Sequence, residues 1–326
     1  MSSAMNHQAT ATAASADLTL MVGSTAKTAR PLPKDLPEVL CGRYRIERLL
    51  GVGGMGAVYR ARDLLREQFG DPQPYVALKT LSEDFAEYPD ASALLYSEFA
   101  LSARLSQRNL VRLYSFEIDP PSQRAFITME LLKGCTLDSL LQQYPSGLPW
   151  SEAYKIALSL LEALHYAHGQ GVLHGDLKPS NLLLGDSELR LFDFGLGQAV
   201  EGFLTGLPRL SRSRFAAWTP RYAAPELLDG APLSAAADVY AVACVIYELC
   251  SGQHPFRRQS AKQAKAMELP LHAPADMPRA LWPALRAALE FDPARRSSLP
   301  RLLRAFREQQ RPASRLPRWL RRRQAT

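Results

Sequence analysis

Asp176, Lys178 and Asn181 fall within six positions of one short run, Val172-Leu173-His174-Gly175-Asp176-Leu177-Lys178-Pro179-Ser180-Asn181. Twelve residues past Asn181 comes a second acid, in Asp193-Phe194-Gly195, preceded by the apolar Leu189, Leu191 and Phe192. Two carboxylates, a carboxamide and an ammonium converging on one point suit a magnesium–triphosphate. Magnesium takes hard oxygen ligands and keeps phosphate oxygens and waters in its shell. A phosphoryl group in transfer needs little covalent help, so a site of this kind works by positioning and charge neutralisation.

These two runs resemble the catalytic and metal-binding loops of eukaryotic-like (Hanks-type) protein kinases. The form Asp-Leu-Lys-Pro-Ser-Asn is similar to the serine/threonine branch, because Lys178 sits two after the Asp. The resemblance implies Asp176 as catalytic base and substrate orienter, and Lys178 as a contact to the transferred phosphate. It implies Asn181 and Asp193 as magnesium ligands. Gly175 departs from the pattern, standing where the family usually has Arg. His-Gly-Asp with Asn five later also occurs in small-molecule phosphotransferases of the aminoglycoside and choline kinase type. The loop alone leaves that alternative open.

The elements that would position these groups are legible upstream. Alternation at Tyr44–Leu50 reads as a strand. It runs into Gly51-Val52-Gly53-Gly54-Met55-Gly56, then Ala57-Val58-Tyr59-Arg60-Ala61 continues as strand. A dinucleotide fingerprint needs a helix directly after its glycines. Strand, glycine turn and strand is instead a lid whose backbone N–H groups can face phosphates. After a long connection, Asp63 to Pro74, read as a turn insertion, comes Tyr75-Val76-Ala77-Leu78-Lys79. By resemblance Lys79 holds the first two phosphates. Ser92–Leu105 has helical period, and Glu98, nineteen residues after Lys79, is its implied ion-pair partner. Glu83 and Glu87 are rivals, and the register of Asn109-Leu110-Val111-Arg112-Leu113 favours Glu98.

Strands at Leu110–Ile118 and Ala125–Glu130 lead to Met129-Glu130-Leu131-Leu132, which is similar to a gatekeeper and hinge. The resemblance places adenine between Leu50, Val58 and Ala77 above and Leu183 below, with backbone bonds at Glu130 and Leu132. Ser151 is a plausible N-cap for a helix whose apolar residues recur through Tyr154–His168. His165 and His168 near its end read as packing residues rather than metal ligands.

After Asp193-Phe194-Gly195 a long basic loop holds Thr205, Ser211 and Ser213 and closes on Ala224-Pro225-Glu226. It resembles the activation segment. Thr219 matches the Thr that contacts the catalytic Asp and Lys, and Trp218 stands where Gly is usual. Asp238 resembles the acid that holds the catalytic-loop backbone, and Arg296 the partner of the closing Glu226. The glycine lid, the Ala-Pro-Glu segment and the late Arg are foreign to small-molecule phosphotransferases. Together they favour the protein-kinase reading over roughly residues 43–306.

Bulk properties set the class. The chain has 326 residues, 47% of them hydrophobic, and four cysteines without metal-ligand spacing. That reads as reduced thiols in a cytoplasmic protein. No apolar run is long enough to span a membrane, and the first thirty residues show no signal pattern. The net charge is +7, yet Arg301–Thr326 carries nine Arg and one acid, so the remaining 300 residues are nearly neutral.

The expected fold is therefore α+β and two-lobed. Residues 1–42 form a disordered N-terminal arm with no period. Residues 43–131 form a small antiparallel β-sheet plus one helix, and 132–306 a larger, mainly helical lobe. A basic tail occupies 307–326. The resemblance implies a soluble bacterial member of the family that uses ATP and Mg2+. It also implies protein substrates bearing Ser or Thr, autophosphorylation and a cognate phosphatase. For the Arg-rich tail, solvation or partner docking is favoured over nucleic acid or anionic lipid. The rival function is a pseudokinase-type nucleotide-binding scaffold, disfavoured because Lys79, Glu98, Asp176, Asn181 and Asp193 are all present.

Overall fold

A computed structural model describes residues 36–52, 56–81, 91–185, 188–194, 198–199, 219–257 and 259–309. The first lobe is one curled antiparallel sheet. Its strands are β1 (Val39–Leu40), β2 (Tyr44–Val52), β3 (Gly56–Asp63), β4 (Tyr75–Leu81), β5 (Leu113–Asp119) and β6 (Arg124–Glu130). They lie in the order β1-β2-β3-β4-β6-β5. Leu40, Ile46, Tyr59, Ala61, Leu78 and Phe126 bury one face. The other carries Leu81, Ala125 and Ile127 against helix α2 (Ala91–Ser102) through Ala91 and Leu95. The strands alternate because one side chain in two must reach each of these cores.

The long connection after β3 is not merely a turn. Leu64–Gln68 forms a short helix, α1, capped by Asp63, whose Oδ1 accepts from the N–H groups of Leu65 and Arg66. Arg43 pairs with the same carboxylate at 2.7 Å and fastens the insertion to the sheet. The insertion leaves the β3–β4 register intact, with Val58 opposite Lys79.

The second lobe is built on α4 (Trp150–Gly169), α6 (Ala235–Ser251) and α9 (Leu299–Gln309). Smaller pieces complete it: β7 (Cys135–Thr136), α3 (Leu137–Leu141), β8 (Val172–Leu173), β9 (Leu182–Gly185), β10 (Glu188–Leu191), β11 (Gln198–Ala199), α5 (Pro225–Leu228), α7 (Ala261–Ala266) and α8 (Trp282–Ala288). Most of α6 is buried, as expected of a helix apolar on every side. Ser234 caps its start by accepting from Ala237 N–H, and Gly252 ends it in a left-handed turn at φ +70°.

The start of α4 differs from the sequence reading. The helix begins at Trp150 after Pro149, and Ser151 lies inside its first turn, making no cap bond. Trp150 packs with Tyr154 and Phe306. At the other end of the lobe, α9 runs to Gln309, three residues past the expected boundary, with Arg307 bonded to Glu162 at 2.9 Å. The arm expected over 1–42 ends earlier, because Leu36 and Leu40 are buried and Val39–Leu40 pairs as β1; residues 1–35 and the tail from 310 lie outside the described residues. Among the described residues no helix is long and apolar enough to cross a membrane.

Candidate active site

Lys79 sits in the centre of the sheet, opposite Val58 on β3 and Ile127 on β6. Its Nζ donates to Glu98 Oε1 and Oε2 at 2.7 and 2.8 Å and to Asp193 Oδ1 at 2.7 Å. An ammonium has three protons, and all three are used. Burial alone would push this ammonium's pKa down; the charges of Asp193 and Glu98 outweigh it and hold Lys79 protonated. Burial likewise pushes Asp193 up, but Lys79 beside it wins and keeps that carboxyl below its usual range. Asp193 itself is held at φ +66°, an unusual backbone for a non-glycine residue. The structure thus joins Lys79, Glu98 and Asp193 across the two lobes. Glu83 and Glu87 lie outside the described residues.

Below Lys79, the loop after β8 hangs on one buried carboxylate. Asp238, on the first turn of α6, accepts the N–H of His174 at 2.8 Å and of Gly175 at 2.9 Å. His168 Nε2 sits 2.8 Å from the same group. Burial raises the Asp238 pKa, but the His168 bond and charge lead a set of contacts that outweighs it, so the carboxyl stays ionised below the normal range. His174 is neutral, as burial lowers its pKa. Its Nδ1 accepts from Asp176 N–H at 3.2 Å, which leaves Nε2 to donate to Phe192 O at 3.2 Å. In the sequence His168 reads as a packing residue. Its partner is 70 positions away, so nothing local could reveal the bond.

Gly175 occupies φ +82°, where an L side chain is strained. The Arg usual at this place would bear that strain, and glycine does not. Gly175→Ala is therefore expected to destabilise the fold by about 1 kcal/mol. A thermal melt reads this, and an unchanged or raised melting temperature would show the strain to be absent.

Asp176 follows directly. Lys178 Nζ donates to its Oδ2 at 2.5 Å, Thr219 Oγ1 to its Oδ1 at 3.2 Å, and Lys178 also reaches Thr219 Oγ1 at 3.0 Å. Asn181 Nδ2 donates to the Asp176 carbonyl at 2.9 Å. That orientation turns the amide oxygen to the opposite side. Asp193 and Asn181 therefore offer a carboxylate and an amide oxygen, hard donors that fit magnesium. Among the described residues no group of three or more His, Cys, Asp or Glu could hold a metal alone. A magnesium ion that takes most of its ligands from phosphate and water needs no such group.

Val58 and Ala77 share the sheet face of Lys79, since Val58 is its direct cross-strand partner and Ala77 is two residues along β4. Ala77 is buried, and Val58 and Ala57 are half-buried. Leu50, Gly51 and Val52 end β2 in solvent; Gly53, Gly54 and Met55 lie outside the described residues. Gly56 is needed for more than flexibility: a Cβ there would lie 2.0 Å from Thr80 O. The first residue of β3 thus packs directly on the β4 backbone. Glu130 donates its N–H to Arg112 O at 2.9 Å, so any purine contact at Glu130 falls to its carbonyl. Leu132 lies in the link after β6, and Leu183 is half-buried on β9 of the other lobe.

The segment beyond Asp193 is tied at both described ends. Gln198 and Ala199 pair with Leu173 and Val172. At the far end Glu226 receives both ends of the Arg296 fork, at 2.6 and 2.9 Å. Thr205, Ser211, Ser213 and Trp218 lie outside the described residues.

Known proteins resemble this chain in sequence. The protein kinase domain family matches residues 44–306. The serine/threonine-protein kinase PkaA of Streptomyces coelicolor is 32% identical over 278 residues, covering 81% of this chain and 49% of that protein. PknH of Mycobacterium tuberculosis is 32% identical over 256 residues, 78% of this chain and 38% of PknH. PknD from the same organism is 34% identical over 244 residues, 74% of this chain and 34% of PknD. The chain thus spans half or less of the length of these curated relatives. A match over residues 44–306, on the very residues that build the two-lobed site, makes this chain a member of the protein kinase family.

Proposed function

We propose that the chain is an ATP-dependent protein serine/threonine kinase. The observation that carries this reading is the carboxylate of Asp176 gripped by both Lys178 and Thr219. Asp176 orients a Ser or Thr hydroxyl and takes its proton while the hydroxyl oxygen bonds to the γ-phosphorus. The bond from that phosphorus to the β–γ bridging oxygen breaks, and ADP leaves with the electron pair. Lys178 offsets charge on the transferred group, and Lys79 holds the first two phosphates. Leu50, Val58, Ala77 and Leu183 wall the adenine, and the turn at 51–56 covers the phosphates. Magnesium, held by Asp193 and Asn181, would neutralise the phosphate oxygens. The names of the relatives support the Ser/Thr preference. A cytoplasmic setting is supported by four cysteines that are all free thiols.

Labelled ATP with magnesium should transfer label to this chain or to an added Ser/Thr protein, and Asp193→Ala should not. No transfer by the wild type would favour a nucleotide-binding scaffold. Burial leads the causes that raise the Asp176 pKa above its usual value. The base works ionised, so kcat/KM should fall as pH drops, with its midpoint above the ordinary Asp pKa. A midpoint at or below that value would remove Asp176 from the role.

Gly175 also bears on regulation. The usual Arg meets a phosphate on the activation segment, and glycine offers no such charge-assisted bond. Ser211→Ala with Ser213→Ala is expected to retain activity within about tenfold, under ~1.4 kcal/mol of transition-state stabilisation. A larger loss in a peptide-kinase assay would contradict this.

A further inference from the structure

The main sheet is open at β5. Among the described residues that strand pairs with β6 on one side and with no strand on the other. Unpaired N–H and C=O groups along such an edge are a template for another strand. Beside this edge runs an aromatic seam shared with α2 (Ala91–Ser102). The Tyr96 and Phe116 rings meet edge-on at 5.3 Å, and Phe99 lies 6.3 Å from Phe116. Tyr96, Tyr114 and Ile118 are 47%, 45% and 47% exposed. Single exposed apolar residues are ordinary. A cluster of them beside an open strand edge is the form of a docking site.

The N-terminal arm enters the fold at this place. Cys41 donates its N–H to Asp119 Oδ1 at 2.7 Å and its thiol to Ile118 O at 3.7 Å. Tyr44 donates its hydroxyl to Glu117 Oε1 at 2.9 Å. Leu36 and Leu40 are buried against the sheet. The chain before residue 36 thus leads, within five residues, into a segment anchored at Cys41 on the end of β5. Most of it is Ala, Ser, Thr and Pro, but it holds one concentrated apolar run, Leu18-Thr19-Leu20-Met21-Val22, between Asp17 and Gly23. The run is too short to register as a period, yet Leu18, Leu20 and Val22 would share one face of a strand. The linker from Gly23 to residue 35 can reach roughly 45 Å. The seven residues of β5 span only about 23 Å.

We propose that Leu18–Val22 adds to the open edge of β5 as an intramolecular strand, with Leu18, Leu20 and Val22 against the Tyr96–Phe116 seam. The occupant is a segment of the same chain because the arm joins the fold just before Cys41, which is fixed to the end of β5, and its apolar alternation matches what the seam leaves uncovered. The consequence reaches the site. The outer face of α2 carries Tyr96 and its inner face carries Glu98, the partner of Lys79. A strand seated outside would brace the helix that presents Glu98. This last step rests on the kinase reading; the docking does not.

Hydrogen exchange on the full-length chain tests the docking without an activity readout. Wild type should protect the open-edge amides of β5 and the amides of 18–22, and Leu20→Asp should expose both by about tenfold or more. Ile118→Asp, on the receiving side, should release 18–22 in the same way. Identical β5 exchange in wild type and Leu20→Asp would overturn the proposal. Protection that grows with protein concentration would also overturn it, because a second copy would then supply the strand. An inactive protein that still shows the protection pattern would sink the kinase reading and leave this one standing.

Discussion

Asp176→Asn should abolish nearly all turnover while leaving nucleotide binding in place. The substitution keeps shape and one acceptor oxygen, which can serve Lys178, while the amide N–H2 replaces the oxygen that Thr219 donates to; the two groups lie 2.5 and 3.2 Å from the carboxylate's two oxygens. It removes the negative charge and the proton acceptor. General-base and positioning contributions of this kind amount to about 10²–10⁴ in rate. The upper part of that range applies here, because the same carboxylate both aims the hydroxyl and takes its proton. A loss of about a thousand- to ten-thousandfold in kcat, or roughly 4–5 kcal/mol, is expected. Lys79, Glu98 and Asp193 are untouched, so the KM for ATP should change by less than about threefold, as fits an interaction felt in the transition state rather than in binding. Single-turnover kinetics with a Ser/Thr peptide would measure the first effect and ATP titration the second. A loss below tenfold would remove Asp176 from the centre of the reaction. An equal loss of ATP affinity would place it in nucleotide binding instead.

The catalytic loop was legible because its chemistry is dense. Asp176, Lys178 and Asn181 lie in one run, and local spacing alone brings them together. Lys79 and Glu98 were legible for another reason: Val-Ala-Leu-Lys after a glycine turn, and the register of Asn109–Leu113 downstream, resemble the family's pattern closely enough to single out Glu98 over Glu83 and Glu87. What stayed hidden depends on distant chain. His168 reads as an ordinary helix-end residue until α6 brings Asp238 to it. Gly56 reads as a flexible lid residue, but the decisive fact is the Thr80 carbonyl 2.0 Å from where a Cβ would stand. Ser151 has the right side chain for a cap. The helix instead starts one residue earlier, at Trp150, whose ring packs on Tyr154 and Phe306, contacts no local pattern announces. The α1 helix in the Asp63–Pro74 insertion escaped because five residues are too few to show a period.

Arg296→Ala should be among the most damaging changes to stability, though Arg296 touches no reacting atom. Its side chain is fully buried, and all five of its N–H donors are used. Two go to Glu226 as a fork at 2.6 and 2.9 Å. The others go to the carbonyls of Glu290, Ala236 and Phe291. The guanidinium also lies 5.2 Å from the Tyr240 ring centroid. Removing it leaves the Glu226 carboxylate, only 13% exposed, without its counter-charge. Breaking one side of a buried pair costs about 3–5 kcal/mol. For a domain of this size each kcal/mol moves the melting temperature by about 2–4 °C, so a fall of roughly 6–20 °C follows. Glu226→Gln in the same chain should recover part of the loss, because the orphaned charge goes with it and coupled partners are not additive. The double variant should therefore melt above Arg296→Ala. If it melts lower by the full cost of both, Glu226 and Arg296 act independently and the buried pair is not what holds the segment's end. The same lock bears on catalysis, since Glu226 lies just seven residues after Thr219 and fixes the end of the turn that delivers Thr219 to Asp176. Activity measured well below the variant's melting temperature should consequently fall through kcat, while ATP affinity stays near that of the wild type.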